Sequence, residues 1–265
     1  MLGKLLKHEY KATARTYLAL YAGMLAVAIF TRIMYFGGTQ FSFFAVGSIA
    51  GLTMTALGVG AIAVATIILT TQRFKRNLLG DEGYLMFTLP VTTDGLLLSK
   101  LIVAVSWFVA GIVMALVALS VAIPAAADTI ISELEGFVIQ FTQDGATGWS
   151  ISGMILLHLG ILALIAAFVL SIYAAHALAM RATRFRGLAS FGIWLLIWVV
   201  AQVAGAIGLR ALEALMMDAR YAMENGMIHM RDFQTSLAVF LFCVVGSTVL
   251  YLVTRVMLKK NLNLE

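Results

Sequence analysis

Residues 145–180 read GATGWSISGMILLHLGILALIAAFVLSIYAAHALAM, 36 residues without one Asp, Glu, Lys or Arg. A helix rises about 1.5 Å per residue, so roughly 20 apolar residues cover a hydrocarbon core of about 30 Å. This stretch therefore holds one membrane-crossing helix with residues to spare. Five further stretches lack the same four residue types: 16–31, 33–72, 101–127, 187–209 and 233–254. The first is short, but Arg32 at its end can snorkel to the headgroups, which extends that span to 17–35. The second begins with the turn-like Gly37-Gly38-Thr39-Gln40, so it holds one helix rather than two. The expected spans are 17–35, 43–70, 100–124, 151–180, 188–210 and 234–257. The fold class is an all-α membrane protein with six transmembrane helices in a single domain, 1–265.

Composition agrees. The 265 residues are 62% hydrophobic and 12% charged, where a soluble domain is about 45–50% apolar and about 25% charged. A water-soluble globule and a disordered chain are both excluded. The net charge of +5 follows from topology and asks for no nucleic acid. Of the 18 Lys and Arg, all but Arg32, Arg210, Arg220 and Arg231 fall in the termini and in the second and fourth connections. Short basic loops stay in the cytoplasm, so both termini are expected there. An N-terminal basic run before an apolar one also suits a signal peptide. The small-residue triplet Ala26-Val27-Ala28 lies inside the apolar run rather than after it, so cleavage is not expected. The one cysteine, Cys243, excludes an internal disulfide and a multi-cysteine metal site.

The flanks are amphipathic. In residues 2–15, LGKLLKHEYKATAR, Leu2, Leu5, Leu6 and Tyr10 share a helical face while Lys4, Lys7, Lys11 and Arg15 lie on or beside the other. That is the pattern of an N-terminal interfacial helix, 1–16, whose cations meet anionic lipid. On the other side of the membrane, Asp128 is a candidate N-cap ahead of Ile131, Leu134, Phe137, Val138 and Phe141. A second outer stripe, Leu209, Leu212, Met216, Ala219 and Met223, stops at Asn225-Gly226.

The longest cytoplasmic connection, 71–99, runs into Lys100 as TQRFKRNLLGDEGYLMFTLPVTTDGLLLSK. Asp81 and Glu82 precede Gly83, which permits a tight turn, and Tyr84, Leu85, Phe87 and Leu89 follow. Pro90 stops any preceding helix, and Thr92 or Thr93 can cap the next. Apolar groups between charges on that face suit a soluble docking partner.

The run Glu82-Gly83-Tyr84, then Leu89-Pro90, then Leu98-Ser99-Lys100-Leu101 resembles the loop between spans two and three of type-2 ABC exporter permeases. The first residues, MLGKLLKHEYKATAR, and the last, LKKNLNLE, are also similar to those of small bacterial permeases of this kind. Tyr84 departs from the threonine found in many members. The resemblance implies a permease half that pairs with a second copy or a paralogue in the bacterial plasma membrane. Two copies of a separate cytoplasmic ATPase subunit would bind ATP and Mg. Coupling would then fall to Asp81, Glu82, Gly83, Tyr84, Phe87, Leu89 and Pro90. The resemblance points to amphipathic or antimicrobial peptides, including toxins, as cargo.

No enzyme activity is expected of the chain itself. It has no GxxxxGK[ST] phosphate loop, HExxH, GxSxG or GxGxxG, so no cofactor is expected on it. His158 and His176 share one helical face about 27 Å apart, too far for joint metal ligation. His176 and Gln202 are intramembrane polar groups, candidates for a transport path or for polar packing. Gly47 and Gly51 form a GxxxG that permits close helix approach. A stand-alone secondary transporter or channel is the alternative; it lacks intramembrane carboxylates and an internal repeat in its favour.

Overall fold

A computed structural model describes residues 2–37, 42–80, 91–142, 148–182, 184–220 and 227–261. Among them all regular structure is helical: α1 Leu2–Gly37, α2 Ser42–Phe74, α3 Thr93–Ala122, α4 Pro124–Thr142, α5 Gly148–Ala179, α6 Arg186–Arg220 and α7 Met227–Asn261. A π-helical turn, Lys75–Leu79, extends α2. All but α4 are long and apolar enough to cross a membrane, six candidate spans among the described residues. This is the architecture of a multi-pass membrane protein.

Helix bounds differ from the expected spans at informative places. α1 runs unbroken from Leu2 through Arg32 to Gly37, so the basic N-terminal segment and the first span are one helix. Arg32 places its guanidinium 4.7 Å from the Phe36 ring centroid. α4 begins at Pro124, four residues before the expected cap Asp128. Proline suits a first helical position because its φ is preset and its missing N–H had no partner to lose. The Ile123 carbonyl then accepts from the amides of Ala126 and Ala127 (3.1 and 3.3 Å). Ile131, Leu134 and Val138 of α4 are exposed.

The chain forms two compact units: Met1–Gln72 with Leu98–Ile139, and Arg73–Leu97 with Gln140–Glu265. In the first, the buried stripe of α1 is Glu9, Thr13, Tyr17, Tyr21, Met24, Ala28 and Thr31, a helical repeat of three and four residues. It packs on two helices. Against α2, the GxxxG expectation holds in detail: a Cβ on Gly51 would sit 2.8 Å from Thr31 Oγ1 and 3.0 Å from its Cα. One turn on, the Thr31 and Thr55 hydroxyls hydrogen-bond at 3.0 Å. Against α3, Trp107 stacks on Tyr17 with centroids 4.3 Å apart and donates its Nε1–H to Thr13 Oγ1 at 2.9 Å. Tyr10 donates to Ser106 Oγ (2.6 Å), and Tyr21 donates to the Trp107 carbonyl (3.1 Å).

In the second unit α5 packs most extensively on α7 and less on α6. Gly160 lets α7 come close, with its Cβ position 3.8 Å from Phe240 Cα. Ser247 Oγ donates to the Ala163 carbonyl at 3.2 Å. Two indoles of α6, Trp194 and Trp198, both donate to Ser171 Oγ of α5, at 3.1 and 3.2 Å.

Candidate functional site

The connection between α2 and α3 is much shorter than 71–99. Helix α2 with its π turn absorbs the residues up to Leu79, and α3 takes over at Thr93. Thr92 caps α3 as expected, accepting the Gly95 amide on its Oγ1 at 3.2 Å and the Leu96 amide on its carbonyl at 3.2 Å. The expected coupling residues Asp81, Glu82, Gly83, Tyr84, Phe87, Leu89 and Pro90 lie outside the described residues.

Both ends of this connection are anchored within the second unit. At the leading end, Phe74 is 1% exposed and stacks on Tyr173 of α5, with centroids 4.1 Å apart and planes 9° off parallel. Leu78, in the π turn, is fully buried. A π turn carries one extra residue per hydrogen-bonded ring and is common at functional sites. At the trailing end, Leu96 and Leu97 are buried, while Asp94 points at α7. Arg255 Nη2 lies 2.7 Å from Asp94 Oδ2, and the Tyr251 hydroxyl donates to Asp94 Oδ1 at 2.9 Å. Tyr251 and Arg255 are one helical turn apart, so one helix face engages both carboxylate oxygens. Arg255 Nε, by contrast, is buried without a hydrogen-bond partner.

A second polar contact lies in the first unit. Lys100 Nζ is 2.6 Å from Glu9 Oε1, with side chains 3% and 7% exposed. The hydrogen-bonded ladder from Tyr10 to Trp107 continues it along α1 and α3.

His176 and Gln202 are not brought into one path. His176 is half-buried on α5 and engages the Ile172 carbonyl through Nδ1 at 2.8 Å. His158 does the same with Met154, also at 2.8 Å. Both are local bonds to the carbonyl four residues back, His176 half-buried and His158 exposed. Gln202 is exposed and lines an open groove of about 650 Å³ with Leu164, Trp198, Gly205, Val239 and Phe242. His176 does not line that groove; it lies twelve residues along α5 from Leu164, about 18 Å of helix rise. The groove can take an apolar ligand, with the Gln202 amide as its main polar handle.

The connection between α5 and α6 carries one backbone outlier. Phe185, 70% exposed, holds φ 56°, a left-handed conformation uncommon for a bulky residue. Its carbonyl accepts the Ala189 amide at 3.0 Å, and Arg184 sits over its ring at 5.3 Å.

Sequence reading passed over Glu9, Asp94, Tyr251 and Arg255. A signal for two of them exists. Glu9 is the single acid before Asp81, and Asp94 the single acid between Gly83 and Asp128. Asp94 stands in a largely apolar stretch, where a carboxylate is costly unless paired, and Glu9 is the one acid in a basic segment, where a cation is the natural partner. Among the described residues no His, Cys, Asp and Glu side chains converge in a group able to hold a metal ion. No family model, curated protein or solved structure matches this chain.

Proposed function

We propose that the chain is the transmembrane permease subunit of an ATP-driven exporter, energised by a separate cytoplasmic ATPase that docks on the connection between α2 and α3. The observation that carries this reading is the anchoring of that connection. Stacked Phe74 holds one end and ion-paired Asp94 the other. Between them lie residues 81–90, with the Glu82-Gly83-Tyr84 and Leu89-Pro90 pattern of type-2 ABC exporter permeases. A force-transmitting loop needs firm ends, because slack would absorb the stroke. Two such permeases form the pathway, and two ATPase subunits carry the nucleotide and Mg. Both termini then face the cytoplasm of a bacterial cell. The cargo is an amphipathic peptide, which the groove at Gln202 suits with its apolar wall and single amide.

Affinity purification of the tagged chain from its native host tests the reading. An ATPase should co-purify in equal amount, and Tyr84→Ala or Phe87→Ala should release it at matched membrane expression. A central, dry anchor is worth more than about 1–2 kcal/mol of binding. Retention by both aromatic variants would move the docking surface to the Arg181–Arg186 connection or to the N-terminal part of α1.

A stand-alone carrier is the second reading, and one observation favours it. Glu9, buried against Lys100, is a carboxylate within a candidate span helix, the kind of group that proton-coupled carriers use. Transport that persists without any ATPase and collapses with a protonophore would decide for it.

A further inference from the structure

We propose that Asp94, Tyr251 and Arg255 form a latch that makes the connection between α2 and α3 move with α5 and α7. A partner acting on residues 81–90 would then drive those two helices. The proposal rests on the coupling role given above to that connection, and it names positioning residues that the resemblance does not supply.

Three observations converge. Residues Arg73–Leu97 belong to the same compact unit as α5, α6 and α7, although they are bounded in sequence by residues of the other unit. Their two ends engage different helices, Phe74 with Tyr173 of α5 and Asp94 with Tyr251 and Arg255 of α7. Those helices are themselves closely packed, through Gly160 against Phe240 and Ser247 on the Ala163 carbonyl. A displacement at either end is therefore delivered to one packed helix pair.

The chemistry of the latch suits transmission better than stabilisation. Arg255 and Asp94 side chains are 38% and 33% exposed, so water screens much of their attraction. Two donors one turn apart on a single helix, each on its own carboxylate oxygen, nevertheless define an orientation as well as a distance. Asp94 also sits in the first turn of α3, where the helix dipole favours a negative charge. Losing the latch should leave the protein folded and its partner bound while the stroke is lost. A merely structural pair would behave otherwise.

The test uses the full chain with Asp94→Ala, Arg255→Gln and the charge swap Asp94→Arg with Arg255→Asp. In lipid nanodiscs, hydrogen exchange of Asp94→Ala should rise both at residues 93–97 and at 248–258, and stay unchanged at 9–31. In cells, both single variants should keep the ATPase at the wild-type level yet export about five-fold less, the rate equivalent of about 1 kcal/mol at which a screened pair tops out. The swap restores only the ion pair, without the Tyr251 hydrogen bond or the favourable helix dipole, so it should recover part of that loss and not all of it. Exchange changes confined to 93–97, wild-type export by Asp94→Ala, or loss of the ATPase in parallel with Tyr84→Ala would each overturn the latch. If no ATPase accompanies even the wild-type chain, the exporter reading falls, and the exchange result alone decides whether these ends and α7 form one body.

Discussion

Replacing Lys100 by Met should be among the most damaging single changes in the first unit. The Lys100 ammonium meets Glu9 at 2.6 Å, and the two side chains are only 3% and 7% exposed. Methionine keeps most of the volume and removes the cation, so the desolvated Glu9 carboxylate loses the ammonium 2.6 Å from its Oε1. Removing one partner of a buried pair costs about 3–5 kcal/mol, whereas replacing both with apolar groups is often neutral or stabilising. At about 2–4 °C per kcal/mol for a chain of this size class, the loss corresponds to roughly 6–20 °C. Thermal unfolding of the detergent-solubilised protein, followed by size-exclusion recovery after heating, measures it. The double variant Glu9→Met with Lys100→Met should return to near the wild-type midpoint. This non-additivity separates a charge effect from lost packing. A Lys100→Met protein as stable as wild type, or a double variant worse than the single one, would refute the reasoning.

Other outcomes follow from particular contacts. Gly51→Val should destabilise by about 1–3 kcal/mol, because its Cβ meets the Thr31 backbone. Gly60→Ala, with nothing within 4 Å, should not, and the same heating assay compares them. The purified chain, freed of any ATPase, should hydrolyse no ATP in a phosphate-release assay, and turnover would contradict the absent phosphate loop. On a Cys243→Ser background, cysteines placed at 128–144 and 213–232 should react with an impermeant maleimide on intact cells while those at 75–93 stay unlabelled. The reverse pattern would invert the topology.

Much of this protein was legible along its sequence, because a bilayer turns a one-dimensional property into a structural one. A hydrocarbon slab of fixed thickness accepts only long apolar helices with their backbone bonds satisfied internally. Counting charge-free stretches therefore yields six spans, the number of long apolar helices among the described residues, though not their bounds. Local chemistry was equally readable where it acts within a few residues, as in the Thr92 cap and in the GxxxG whose Gly51 admits Thr31. Pro124 in place of Asp128 as the start of α4 shows the limit of reading a cap by side chain alone, since a preset φ outranks it.

Pairing across the chain belonged to tertiary structure alone. The amphipathic reading of residues 2–15 selected the face of Leu2, Leu5 and Leu6, which is the side of α1 that carries the buried stripe, because Glu9 follows them by seven, four and three residues; what it did not show is that the polar Glu9 and Thr13 belong to that stripe. Hydrophobicity sorts side chains between water and lipid, but it does not rank one helix neighbour over another when nearly every surface is apolar. That choice is made by shape at Gly51 and Gly160 and by a few polar groups seeking partners, Glu9 for Lys100, 91 residues away, and Tyr251 for Asp94, 157 away. Such partners carry no spacing that a sequence displays, because each contact depends on where whole helices have already packed.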